Sequence, residues 1–198
     1  MRTPALIGGL LLVSSLAIAS PVFAAPTVST VGGDTRVELS PVFTGALGSL
    51  GVAAAPSYPA RLRGATASFP IPTGEIDLGS LKGEIAHAGG LDLSAGALRV
   101  NLGSFVIDTT GETPVLTGLV KVNDSVVGRL PLFDLALSSA PVVKRTTRIG
   151  QLRVNDVALT LTDEAAAALN GVFGVTAFTA GIPIGTAHVS TRFYEPDR

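Results

Sequence analysis

The residues able to do chemistry are few. The chain holds two histidines, His87 and His188, and no cysteine. Cysteine nucleophiles are therefore excluded, and a serine nucleophile needs a histidine base held by a carboxylate. No G-x-S-x-G elbow is present, and the nearest serine settings, LGSLG and LGSFV, lack its pattern. His188 alternates with Ala187 and Val189 in GTAHVSTRF, as a polar residue does on the wet face of a strand. Two isolated histidines do not make a zinc set. The DTTGE run from Asp108 to Glu112 places two carboxylates around a glycine turn but lacks the alternating oxygen ligands of a calcium loop. Asp77, Glu84 and Asp92 would support glycoside hydrolysis of an envelope polysaccharide only if folding brought them together. Sugar-cleaving sites usually add aromatic platforms, and here there are two tyrosines, Tyr58 and Tyr194, and no tryptophan. No residue is assigned to catalysis or to a metal.

His87 stands in GEIAHAGGLDLSAGALRV, before Ala88-Gly89-Gly90 and an alternating strand pattern. Two roles are open to it. At a strand end its ring can hydrogen-bond the free backbone groups of a glycine turn; alternatively it contacts a ligand. The ligand-contacting candidates are His87, Gly89, Gly90 and Tyr58.

The elements that must position these residues are mainly strands, read from short alternating or β-branched runs separated by Gly, Pro, Asn and Asp. Strands are expected near Thr35–Leu39, Arg61–Phe69, Gly83–Ala86, Leu91–Leu93, Leu98–Ile107, Val115–Val122, Val126–Leu137, Leu152–Leu161, Val175–Phe178 and Thr186–Phe193. In ALRVNLGSFVIDT the apolar parity carried by Leu98, Val100 and Leu102 changes to Phe105 and Ile107, which a bulge at Gly103-Ser104 would absorb. VLTGLVKVNDSVVGRLPLFDLAL reads as a hairpin folded at Asn123-Asp124. Pro131 removes a ladder donor, so that second strand lies at an edge or is broken there.

Two stretches, LSPVFTGALGSLGV and LTDEAAAALNGVFGV, share a different plan. Each has a strand end, a capping hydroxyl (Ser40 or Thr162), a favourable first turn (Pro41, or Asp163-Glu164) and a short helix stopped by glycine. Leu39 to Leu47 has the spacing of Leu161 to Leu169, which makes the two units equivalent. The resulting expectation is a mainly β fold: one β-sandwich or flattened barrel with two short corner helices.

The first residues, MRTPALIGGLLLVSSLAIASPVFAAP, have the form of a secretory signal, with Arg2, an apolar run and small residues before a cleavage point after Ala24. Residues 1–24 are therefore expected to be a signal peptide and 25–198 a single β-rich domain, with no membrane span after cleavage. Removing Arg2 from fourteen basic residues leaves thirteen against fifteen acidic ones. Lys and Arg are scattered without interleaved aromatics, which argues against nucleic acid as a partner. The Ala/Gly/Val/Leu-rich composition reads as bacterial.

LKGEIAHAGGLDLSAGALRVNL resembles the G-x-[VI]-x-[FA]-x-H-x-G-x-L-x-L segment of HtaA-type haem-uptake domains. LRVNDVALTLTDEAAAALNGVFGVTAFTAGIPIGTAHVS is similar to their L-T-x-E-A-A segment and closing strand. The chain also resembles, more closely, a broad set of uncharacterised exported bacterial proteins that repeat EAAAALN-x-x-FGVTAF-x-AG-x-PIGTA. The HtaA resemblance implies a mostly β fold that holds haem through a tyrosine, with a histidine nearby that His87 matches. The matching N-terminal stretch here, VELSPVFTGALGSLGV, carries Phe43 and no tyrosine, and Tyr58 lies beyond it. The function expected is an exported, non-enzymatic module binding a ligand or partner in the cell envelope or extracellular space, with no cofactor. Haem or porphyrin capture is the alternative, and polysaccharide hydrolysis a second one.

Overall fold

The computed structural model describes residues 27–146 and 148–194. The expected signal peptide lies outside the described residues. In chain order the elements are β1 (Thr27–Leu39), α1 (Pro41–Ser49), β2 (Ala53–Ser57), β3 (Arg61–Arg63), β4 (Thr66–Pro70), β5 (Thr73–Asp77), β6 (Gly83–Ala86), β7 (Gly90–Ala95), β8 (Leu98–Asp108), β9 (Val115–Val122), β10 (Ser125–Leu137), β11 (Val142–Lys144), β12 (Ile149–Leu161), α2 (Asp163–Phe173) and β13 (Pro183–Tyr194).

Hydrogen-bonded neighbours run β1, β5, β6, β8, β9, β10, β12, β13 and back to β1, which closes an eight-stranded antiparallel barrel. Of the sandwich and the barrel, the chain takes the barrel because β13 is paired along both edges, to β1 and to β12. The remaining five strands are flanges: β4 and β3 beside β1, β7 and β2 beside β8, and β11 beside β12.

Two wall strands change partners midway, and this opens the barrel at one end. β1 pairs with β5 from Thr27 to Thr30 and with β4 from Asp34 to Glu38. β8 pairs with β6 from Val106 to Asp108 and with β7 from Leu98 to Gly103. The first change falls at Gly32-Gly33, where Gly33 has φ +145° and a Cβ would stand 2.2 Å from the Ser190 carbonyl oxygen, so only glycine fits. The second falls at the expected bulge: the β8–β9 register skips from Gly103 to Val106, and Ser104 has φ +49°.

The hairpin and corner expectations hold in detail. Asn123 and Asp124 turn β9 into β10 with positive φ at both positions, the I′ geometry that matches strand twist. β10 bonds β12 only from Phe133 onward, so its first half, up to Pro131, has one partner strand. Ser40 Oγ accepts from Phe43 N at 3.0 Å and donates to the Pro183 carbonyl. Thr162 Oγ1 accepts from Ala165 N at 3.1 Å and donates to the Pro131 carbonyl at 2.8 Å. Each cap therefore starts a helix and ties it to a neighbouring strand, and the strands leading into both helices flank β13.

Two strand expectations need correction. Val175–Phe178 is not a strand: the Asn170 amide accepts from Phe178 N and donates to Phe178 O, tying the segment back to α2 instead of to a ladder. Arg61–Phe69 is two strands folded at Gly64, β3 on β4. The reading also lacked β2, β5, β11 and the first half of β1.

The interior divides into a large cluster, including Phe43, Leu47, Phe69, Leu93, Phe105 and Leu161, and a small one of Val28, Ile71, Ile76, Ile85, Leu152, Val189 and Phe193. In the small cluster the Phe193 ring lies over Gly150, where a Cβ would come within 2.1 Å of it. Gly150→Ala must displace that ring, so a loss of about 1–3 kcal/mol is expected in urea unfolding.

Candidate functional site

His87 belongs to the connection from β6 to β7, at the place where the barrel wall divides. Its N–H donates to Phe105 O at 2.8 Å, which carries the β6–β8 ladder one residue past Ala86. Inward parity therefore runs from Ile85 to His87. Three further backbone bonds knit the crossing: Ala88 N to Pro70 O at 2.9 Å, Ile71 N to Gly33 O at 3.0 Å and Ser104 N to Gly89 O at 3.1 Å.

The ring is inside the barrel. His87 is 5% exposed, and its Nε2 lies 2.7 Å from Thr35 Oγ1, an inward hydroxyl on β1 just past the Gly32-Gly33 break. This corrects the first role considered for it. The ring bonds a side chain of β1, which β5 separates from β6 in the wall, and the turn's backbone is satisfied by other backbone groups. His87 Nδ1 has no hydrogen-bond partner. The other buried, unpartnered side-chain atom among the described residues is Thr30 Oγ1, which does not line the cavity next to His87.

That cavity occupies about 110 Å³ between the two clusters, walled by residues such as Phe69, Ile85, Phe105, Leu135 and Val189 together with Thr35 and His87. Among the described residues, no Asp, Glu, Lys or Arg lines it. The third polar side chain on the wall, Thr109, gives its hydroxyl to the carbonyls of Leu81 and Gly83 at 2.6 and 3.1 Å. Among the described residues, His87 Nδ1 is thus the side-chain polar atom of the cavity wall that makes no hydrogen bond of normal geometry. Burial there pushes the imidazole from 6.5 down to about 4, and the nearby carbonyls of Phe105 and Ile85 offset only part of the shift. At neutral pH the ring carries no charge.

The other proposed ligand contacts gather at this end of the barrel without entering the chamber. A Cβ on Gly89, at φ +84°, would stand 2.5 Å from Ala60 N and 2.7 Å from Ser57 O; one on Gly90 would stand 2.2 Å from Leu102 O. Both glycines permit close backbone packing that fixes the connection carrying His87. Tyr58, in the turn packed on Gly89, is 95% exposed. Thr35 is the partner that sequence reading missed. Its signal was parity: Thr35, Val37 and Leu39 share the inner face of one strand.

The remaining chemistry-bearing residues stand on the outside. His188 Nδ1 accepts weakly from Asp156 N at 3.4 Å. Asp77 accepts from the N–H groups of Ser80 and Gly79, and Asp108 from the hydroxyl and N–H of Thr110, which holds both carboxyls below their ordinary range. Asp92 accepts from Asn101 Nδ2 at 2.8 Å. Glu84 pairs with Asp108 and Asp92 with Asn101, seven residues apart along β8, so these carboxylates are roughly 20 Å from each other. Glu84 and Asp92 are therefore too far apart to serve together as the acid and base of a glycosidase. Among the described residues, no group of three or more His, Asp or Glu side chains is arranged to hold a metal ion, and no helix is long and apolar enough to cross a membrane.

No protein-family model matches the sequence, and no curated protein matches it. Solved structures do share its fold. The C-terminal domain of HtaA from Corynebacterium glutamicum superposes with a TM-score of 0.63 at 14% identity, over 84% of this chain and 99% of that one. The N-terminal domain of HtaA from the same organism gives 0.60 at 13% identity, over 82% and 97%. The heme-binding protein HtaB, also from Corynebacterium glutamicum, gives 0.50 at 12% identity, over 86% and 96%. The chain has an HtaA-type domain fold.

Proposed function

We propose that this chain is an exported, non-enzymatic binding module, acting in the cell envelope or the medium, whose barrel takes a small apolar ligand beside His87. The observation that carries this reading is the unpartnered Nδ1 of a buried, neutral imidazole on the wall of an otherwise apolar chamber. A buried polar atom without a partner costs about 1–3 kcal/mol, a cost a bound ligand can relieve. Export is supported by the leader-like first residues. The distance between Glu84 and Asp92 weighs against hydrolysis by that pair, and the scattered basic residues support a small-molecule partner over nucleic acid.

Toluene tests the chamber. A saturable rise in the thermal unfolding midpoint of the purified protein is expected. Ala187→Val, which adds methyl groups to the chamber wall, should weaken that rise; no toluene effect on the wild-type protein would remove the support for an interior ligand.

Haem is the ligand that the likeness to HtaB brings forward. The residues present do not fit it inside the barrel. Both tyrosines face solvent, Tyr58 at 95% and Tyr194 at 57% exposure, and the His87 Nε2 is engaged by Thr35. The chamber is smaller than the clefts of about 300–1,000 Å³ that take cofactors, and among the described residues no cation on its wall would meet the propionates. Haemin titrated into the purified protein is therefore expected to keep its free spectrum. A saturable Soret shift that is lost in His87→Ala would establish capture instead.

A further inference from the structure

The chamber constrains the chemistry of its occupant beyond being apolar. We propose that it is selective for a compact apolar ring bearing one hydroxyl, a phenol, whose hydroxyl partners His87 Nδ1; this rests on the reading of the barrel as a ligand chamber.

Three observations lead there. The first is the count of free polar atoms on the wall. Thr35 is engaged with His87 Nε2, and Thr109 with two carbonyls, which leaves Nδ1 as the one free polar side-chain atom on the described wall. Beyond Nδ1 the described wall offers a ligand only the spare acceptor lone pairs of the Thr35 and Thr109 hydroxyls, which favours a ligand with one polar group, whereas a hydrocarbon would leave Nδ1 as it is. The second is charge. With no Lys or Arg among the described residues of the wall and a neutral imidazole, a carboxylate or phosphate would enter an apolar space without a counter-charge. A hydroxyl both donates and accepts, so it completes Nδ1 in either tautomer of the ring. The third is size: about 110 Å³ is on the scale of the roughly 150 Å³ apolar cavity that takes up benzene. A ring of that class matches the aromatic part of the wall, where Phe69 and Phe105 meet edge to face with centroids 5.2 Å apart.

Calorimetric titration of the purified protein with phenol and with toluene tests the assignment. Phenol is expected to bind at least tenfold more tightly than toluene, and in His87→Phe the preference is expected to vanish while toluene binding persists. Nitrogen-15 spectra of wild-type His87 give a readout independent of that variant's folding: Nδ1 shifts on adding phenol and stays in place on adding toluene. Equal affinities for the two probes, a preference unchanged in His87→Phe, or an Nδ1 resonance indifferent to phenol would each overturn the hydroxyl assignment while leaving the chamber intact. Failure of both probes to bind would overturn the chamber and this inference together.

Discussion

Phe193→Ala is expected to remove about 3–5 kcal/mol of unfolding free energy, the range for truncating a fully buried aromatic. Phe193 is 0% exposed and belongs to the smaller apolar cluster, where six other buried side chains surround it. So small a cluster has little material with which to collapse onto the void. The residue also sits on β13, the strand that closes the barrel, paired with Thr30 of β1 on one edge and with Gly150 of β12 on the other. With typical domains stable by about 5–15 kcal/mol, the loss is a large share of the total. Urea unfolding followed by circular dichroism measures it, with an unchanged denaturant slope marking a true stability effect. The Gly150 contact supplies an internal check. If Gly150 is glycine because the ring lies on it, Gly150→Ala is nearly neutral in the Phe193→Ala background, a coupling that a double-mutant cycle reads directly. A loss below about 1 kcal/mol for Phe193→Ala, or additive single effects, would mean that the ring does not hold the closure.

Much of this architecture is legible in sequence because local rules and tertiary demands agree there. The Gly103-Ser104 parity change, the Asn123-Asp124 turn and the Ser40 and Thr162 caps are each dictated by residues within a few positions. What escaped depends on partners distant in the chain. The β2 strand, Ala-Ala-Ala-Pro-Ser, has no strand-like composition and is ordered by the β7 ladder from Ala53 to Ser57. Val175–Phe178 has strand composition but lies beside Asn170, whose amide claims its backbone. For the site, GEIAHAGG drew attention to His87, but ending the strand at Ala86 hid that the ring continues the inner face of Ile85. Its partner Thr35, 52 residues earlier, could be paired with it only by knowing that β1, separated from β6 by β5, brings its inner face to the β6–β7 connection.

The same burial makes stability depend on acid. The imidazole of His87 titrates at 6.5 when exposed and is pushed down to about 4 in the folded chamber. Above pH 6.5 the ring is neutral folded or unfolded and contributes no slope. Between the two values the unfolded chain takes up a proton that the folded one refuses, so stability is expected to fall as pH is lowered from 6.5 toward 4. The full span corresponds to about 3 kcal/mol. Asp77 and Asp108 act in the same direction but in a lower window, because both are held below 3.8 in the fold and lose their contribution only as pH falls through that range. The two windows can therefore be told apart. His87→Phe, which keeps an apolar ring on the wall, should flatten unfolding free energy between pH 4 and 6.5 and leave the decline below it. Loss of the Thr35 partner shifts the level of that curve and leaves its shape alone, so the slope is the quantity to compare. A wild-type slope that survives in His87→Phe would place the acid sensitivity elsewhere, as would a His87 ring resonance titrating near 6.5 in the folded protein.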